Sequence, residues 1–448
     1  MSAPDDKIIA PHRVAEPAES PTEAKVRFRS GILSGLAPYL RISAGARRYL
    51  FGTFFLGIGW AVFMLLFNLY MRELGYEESF IGRLWSMQSV GMIIMTVPAA
   101  TLVARYSTRW LVALAAALAA GCYFALTITG FPPLMMITSI GVGMAIAIPR
   151  VAGAPFFMRH TSPVERSHVF SLQFAAMLGA GLFAYFGGGW LHREVTELLD
   201  SSVRAYRALL IAGAGSTLIS AAIYSSIPSG VAVDQFQTTS ALINRARSKA
   251  RLLFKLTFPF FVIGVGAGLI IPFLNLYFRD RFGMEPMAIG FYYGLVQSSM
   301  LVGVLVGPYL ARKWGMIRMV VYTELASLPF MALLAFTYNL HIAVGAFVLR
   351  GALMNMGIPI ANNYLMERVG QEDRTVANAL AMLAWTSSWA LAAWIGGALI
   401  EHIGYTEPLL VAGGLYFISA ILYYWFFRRE DLLAGEQIGP IIDRTASS

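Results

Sequence analysis

The stretch from Phe55 to Trp110 is written twice in this chain, and that repetition limits the possible folds more than any other feature. Its centre, Asn68-Leu69-Tyr70-Met71-Arg72, returns as Asn275-Leu276-Tyr277-Phe278-Arg279, with four of five residues identical at an offset of 207. Gly57 and Gly59 return at the same offset as Gly264 and Gly266. Gly75 and Ile81-Gly82 return at 208 as Gly283 and Ile289-Gly290, and Gln88-Ser89 returns at 209 as Gln297-Ser298. An offset this steady across two apolar runs and their loop marks a duplicated unit of about half the chain.

The solvent for which that unit is built follows from composition. Apolar residues make up 57% of the chain against 13% charged, well above the soluble norm of about 45–50% apolar. Apolar runs of about 20 residues, enough to cross a hydrocarbon core about 30 Å thick, fall near 49–71, 81–104, 109–129, 133–157, 168–191 and 206–227. They recur near 257–278, 287–311, 318–338, 342–366, 376–400 and 407–427. The fold class expected is an all-α polytopic membrane protein of twelve transmembrane helices in two homologous six-helix bundles, 49–227 and 255–427. A tail with an interfacial segment (1–48), a linker (228–254) and a second tail (428–448) complete the chain. The lone cysteine, Cys122, lies in an apolar run and excludes a disulfide framework.

The net charge of +9 has a topological explanation. Of 34 lysines and arginines, 25 fall on the side holding both termini and the linker, and seven fall opposite. The excess of basic residues in cytoplasmic loops therefore places both termini in the cytoplasm, in a multi-pass protein of the plasma (inner) membrane. No nucleic-acid partner is needed to account for the charge.

Local motifs then suggest a family. Ala100-Thr-Leu102-Val-Ala104-Arg105-Tyr-Ser107-Thr-Arg109 follows the second span, and Leu310-Ala311-Arg312-Lys313-Trp314-Gly315 follows the eighth. With the six-plus-six duplication and basic central linker, these segments resemble the major facilitator superfamily of secondary transporters, whose signature there reads Gly-x-Leu-Ala-Asp-Arg-x-Gly-Arg-Lys. The leucine and basic residues are kept. The aspartate, which helps close the family's cytoplasmic gate, is not, and Arg312 occupies its place in the second half. Pro163-Val-Glu165-Arg166 and Gln371-Glu-Asp373-Arg374 are similar to the family's acidic-arginine pairs after helices 4 and 10. Glu367 and Arg374 resemble a Glu-x6-Arg spacing of sugar porters. Arg350-Gly351 resembles the family's helix 4 arginine motif, here in span 10. The resemblance implies transport, with Arg105, Glu165, Arg166, Lys313, Arg350, Asp373 and Arg374 as gating positions.

Polar groups inside the spans are the candidates for substrate contact, because a charge at membrane depth costs about 2.5–3.5 kcal/mol on insertion scales. Arg150 follows Pro149 in span 4, too deep for easy snorkelling. It either binds an anionic group or pairs with helix-end carbonyls or a loop carboxylate. Asn68 and Asn275 are repeat partners that can face each other near the outer end, as substrate contacts or as interhelical glue. Asn355, Asn362 and Asn363 accompany Pro359 in span 10, and Trp385 and Trp389 stand one turn apart in span 11. For coupling, the first half offers no acid in its spans. The second offers Glu324, alternatively paired with a loop arginine, and Glu367.

No nucleotide loop, metal-ligand cluster or nucleophile elbow is present in the sequence, so neither an ATP-driven pump nor an enzyme is expected, nor any cofactor. The expected function is alternating-access transport of a small organic solute by a monomer in the lipid bilayer, with a proton as a possible coupling ion. Apolar and aromatic lining outweighs charge, which favours efflux. The alternatives are organic-anion uptake or exchange through Arg150, a lipid flippase, and a transporter-like sensor that moves nothing.

Overall fold

The structure, a computed structural model, describes residues 42–228, 247–370 and 373–442. Twelve long apolar helices form because membrane-embedded backbone must satisfy its hydrogen bonds within the segment. They are α1 (Ala44–Glu73), α2 (Glu78–Arg105), α3 (Thr108–Ile128), α4 (Pro132–His160), α5 (Pro163–Leu199) and α6 (Ser202–Ser225). The second set is α7 (Ala250–Phe282), α8 (Pro286–Trp314), α9 (Met316–Phe336), α10 (Leu340–Arg368), α11 (Arg374–Ile403) and α12 (Thr406–Ile442). A 3-10 turn at Ile271–Phe273, centred on Pro272, interrupts α7. No described residue is in a strand.

Local chemistry fixes the helix starts. Ser43 accepts from the Ala46 amide, Ser201 from Arg204, and Asn339 from His341 and Ile342. Each satisfies an otherwise orphaned amide of a first turn. Gly75 and Gly283 close the α1–α2 and α7–α8 turns with positive φ, +85° and +63°. The duplication thus preserved the residue that adopts this conformation without strain.

Several helices outrun their apolar cores. α1 begins at Ala44, α7 begins at Ala250 within the expected linker, and α12 continues past 427 into the expected tail. α5 runs from Pro163 to Leu199, and its polar final turns are stitched by an Arg193–Glu197 pair at 3.3 Å. Hydrophobic length sets what crosses the membrane, not where helical hydrogen bonding stops. The interfacial segment up to residue 41 and most of the linker, 229–246, lie outside the described residues.

The halves meet along α2 against α11 and α5 against α8. At the first crossing, a Cβ placed on Gly82 would stand 3.2 Å from the Gly397 Cα; at the second, one placed on Gly290 would stand 3.1 Å from the Gly189 Cα. Gly290 is the repeat copy of Gly82, and Gly397 that of Gly189, each at an offset of 208. The same glycine pair is therefore used twice, with the halves exchanged.

Among the described residues this junction is closed at one end. One hydrophobic core joins both halves at the end away from the termini, through Leu65, Leu69, Trp85, Leu269, Phe273 and Leu276. Toward the termini the core divides, around Tyr49, Phe156 and Tyr224 in the first half and Phe260, Tyr364 and Phe427 in the second. Polar contacts reinforce the far side. They include Arg279–Glu73 at 2.8 Å, Ser79 to Glu401 at 3.0 Å and Ser86 to the Ala390 carbonyl at 2.5 Å.

Candidate functional site

Arg150 stands ten residues from the end of α4, about 15 Å along the helix at 1.5 Å per residue. Its side chain is exposed, because it opens into a cavity walled by α1, α3, α4, α5 and α6. Thr53, Trp60, Tyr123, Gln173, Met177 and Tyr224 line this cavity, and Arg150 is its one charged lining residue among those described. The α4 backbone is anchored just before it, where the Tyr49 hydroxyl donates to the Pro149 carbonyl at 2.9 Å. Among the described residues no loop carboxylate or helix-end carbonyl takes up the guanidinium. The guanidinium faces the cavity instead.

The second half has its own cavity, walled by Phe260, Thr323, Gly357, Ile358, Trp385 and Tyr423, with Glu324 inside it. Glu324 is 4% exposed, and its Oε2 has no hydrogen-bond partner among the described residues. The alternative reading that it pairs with a loop arginine is corrected here, since α9 turns it inward, toward α7, α10 and α12. Glu367 is exposed near the end of α10.

The asparagines separate into two groups. Asn362 and Asn363 are exposed on α10, whereas Asn355 is half-buried and donates to its own helix, to the Gly351 carbonyl at 2.9 Å. Asn68 and Asn275 are fully buried. The Asn68 Nδ2 donates to the Asn275 Oδ1 at 3.2 Å and to the Pro272 carbonyl at 2.5 Å, while the Asn275 Nδ2 donates to the Leu65 carbonyl at 2.9 Å. The Trp85 indole completes the Asn68 shell at 2.9 Å. Both amides are committed to each other and to backbone carbonyls in this state, the arrangement of interhelical glue.

Trp385 and Trp389 form a tilted pair with ring centroids 6.1 Å apart. They also sit against Gly264 and Gly268, whose absent side chains let α11 press onto α7. Trp385 reaches the Glu324 cavity, and Trp389 does not line it.

Residues 49–393 and 325–439 match the sequence model of the Major Facilitator Superfamily. This chain belongs to that superfamily. Its architecture is that of known superfamily transporters. A mutant form of the nucleoside transporter NupG superposes with a TM-score of 0.71 at 15% identity, covering 85% of this chain and 99% of that one. The D-xylose-proton symporter gives 0.68 at 15%, covering 85% and 96%. A bacterial homologue of the iron transporter ferroportin, solved inward-facing, gives 0.67 at 14%, covering 84% and 97%. No curated protein sequence matches this chain.

The superfamily's motif positions have local partners here. Glu165 closes a capping box on α5: the Ser162 amide donates to Glu165 Oε2 at 3.0 Å and the Glu165 amide to Ser162 Oγ at 3.4 Å. Asp373 pairs with Lys249, which ties the start of α7 to the α10–α11 connection, and Arg374 donates to the Met366 carbonyl at 3.0 Å. Arg105 and Lys313 are exposed at helix ends, while nothing is described of the Arg166 side chain. Arg350 finds its partners within the second half. It is 3% exposed inside the second half, donating to the Tyr416 hydroxyl at 2.6 Å and lying 2.8 Å from the Met331 sulfur.

Two features escaped the sequence. Because α5 is longer than its apolar run, it carries His192, 6% exposed, its ring tilted against that of Tyr206 with centroids 4.0 Å apart. It lies one residue beyond the apolar run expected to end near 191, on the part of α5 that continues to Leu199. Tyr405, in the α11–α12 turn, donates to Asp280 at 2.5 Å. Burial and then the nearby Asp280 charge hold its hydroxyl pKa above the ordinary tyrosine value.

Proposed function

We propose that this chain is a secondary transporter that moves a small organic solute by alternating access, with an acidic group of the solute received by Arg150. The observation that carries this reading is the exposed guanidinium at membrane depth, facing no carboxylate among the described residues. An arginine there is costly unless water or a ligand solvates it. The far-side closure and the divided core toward the termini support a state in which the solute enters or leaves on the termini side. With the basic residues concentrated there, that side is assigned to the cytoplasm, and Glu324 and Glu367 are the groups available to a coupling proton. The unit proposed is the monomer.

A second reading, efflux of apolar or cationic organic compounds, is supported by Trp60, Leu56, Ile146 and Met177 in the same walls. The nucleoside and D-xylose named for two structural neighbours carry no charge for Arg150 to meet.

The discriminating experiment is a thermal-shift screen of the purified protein against organic anions, organic cations and neutral sugars, run in parallel on Arg150→Ala. Stabilisation by an anion, lost in the variant, is the expected result. Stabilisation by hydrophobic cations, equal in both proteins, overturns it in favour of the second reading. Flux of the stabilising compound into liposomes then separates a carrier from a sensor.

A further inference from the structure

The cavity around Arg150 has a twin, and the two differ chiefly in charge. At the offset of the duplication, Leu56 corresponds to Ile263, Arg150 to Ile358 and Met177 to Trp385. The first of each pair lines the Arg150 cavity and the second lines the Glu324 cavity. α3 and α9 begin and end 208 residues apart, as do α4 and α10. In that register the copy of Arg150 is uncharged, and Glu324 stands where the first half has Ala116. The halves have therefore acquired opposite charges within equivalent spaces.

Depth matches as well. Glu324 lies eight residues into α9 from its termini-side end, about 12 Å, within one helical turn of the 15 Å at which Arg150 lies. Repeats of this kind are related by an axis along the membrane normal. The two charges accordingly stand at the same level, one in the cavity of each half.

Around Glu324 the walls are apolar and aromatic, with Phe260, Trp385 and Tyr423 beside the carboxylate. A metal ion needs several oxygens, and this cavity offers few. An ammonium group suits it better, its charge meeting the unpartnered Oε2 and its attached carbons meeting ring faces by cation–π contact.

We infer that the transported solute is dipolar: its acidic group is taken by Arg150 and its amino or alkylammonium group by Glu324. This deepens the reading of Arg150 as an anion site and rests on it. A proton and the ammonium group occupy the same Glu324 oxygen in turn, so solute loading and protonation exclude each other.

The test uses the purified full-length chain and thermal-shift titrations with glycine, β-alanine, 4-aminobutyrate and 6-aminohexanoate. Each is compared with the carboxylate and the amine of the same chain length that lack the second group. The expected result is that one amino acid stabilises the protein at a concentration about tenfold or more below its matched carboxylate, the scale of one hydrogen bond to a charged group. Glu324→Gln, which preserves shape, removes that advantage and leaves the carboxylate's own effect, whereas Arg150→Ala loses both. If carboxylates stabilise the wild type and no amino acid improves on its match, the dipolar assignment is overturned while the Arg150 reading stands. If no carboxylate stabilises the protein, with or without an amine, both are overturned.

Discussion

Asn68 and Asn275 bond to each other across the junction of the halves, and each also donates to a backbone carbonyl of the opposite half. The main acceptors, Pro272 and Leu65, are themselves 207 residues apart, so the clasp reproduces the symmetry of the duplication. Interhelical hydrogen bonds in membranes average about 0.6 kcal/mol each. A cluster of this size is enough to bias an equilibrium between far-side-closed and far-side-open states without locking it.

Asn68→Ala is therefore expected to favour far-side opening. In a Cys122→Ala background, a cysteine at Met64, 6% exposed just inside the clasp, should react with a membrane-impermeant maleimide several-fold faster when Asn68 is replaced. Equal rates in both backgrounds would show that the clasp does not control the gate.

The glycine crossings make a symmetric prediction. Leucine at Gly82 or at Gly290 places a side chain where the facing helix stands, and overpacking of this kind typically costs about 1–3 kcal/mol. Both variants should lose far-side closure to a similar degree, read by the same cysteine labelling. A large effect from one and none from the other would contradict the exchanged pairing of Gly82 with Gly397 and Gly290 with Gly189.

Arg350 should behave as a structural residue of the second half. Tyr416→Phe removes the hydroxyl that accepts from its guanidinium at 2.6 Å, and leaving a buried donor unpaired costs about 1–3 kcal/mol, more when charged. A lowered melting temperature in detergent is expected, with far-side labelling rates unchanged. Altered labelling with an unchanged melting temperature would return Arg350 to the gate.

Ser162→Ala and Glu165→Ala each break the capping box that starts α5. Loss of an N-cap costs about 0.5–2 kcal/mol. The pair together should cost little more than either alone, since the two side chains form one reciprocal unit. Full additivity in the melting temperatures would mean that Glu165 has a separate partner.

The twelve helices and their duplication were legible because hydrophobic length and a constant offset are properties of the chain itself. Arg150 was legible for the same reason, as a charge at a depth where charges are costly. Partners were harder to read. Asn68 and Arg350 look like candidate contacts in a list of polar residues, and only packing reveals that a clasp occupies one and a tyrosine the other. The inward turn of Glu324 depends on the rotation of α9, which its nearly uniform apolar sequence does not specify. His192 was hidden because α5 continues helical beyond the point where it stops being hydrophobic.

The exchanged glycine pairs carry an implication about ancestry. A contact in which Gly82 meets Gly397 while their copies, Gly290 and Gly189, meet in turn is the isologous arrangement of a two-fold dimer, drawn within a single chain. A polypeptide containing one six-helix half would already hold both faces of the crossing. Such a half could close upon a second copy of itself, and fusion then freed the two sets of helices to diverge, one toward a cation and the other toward an acid.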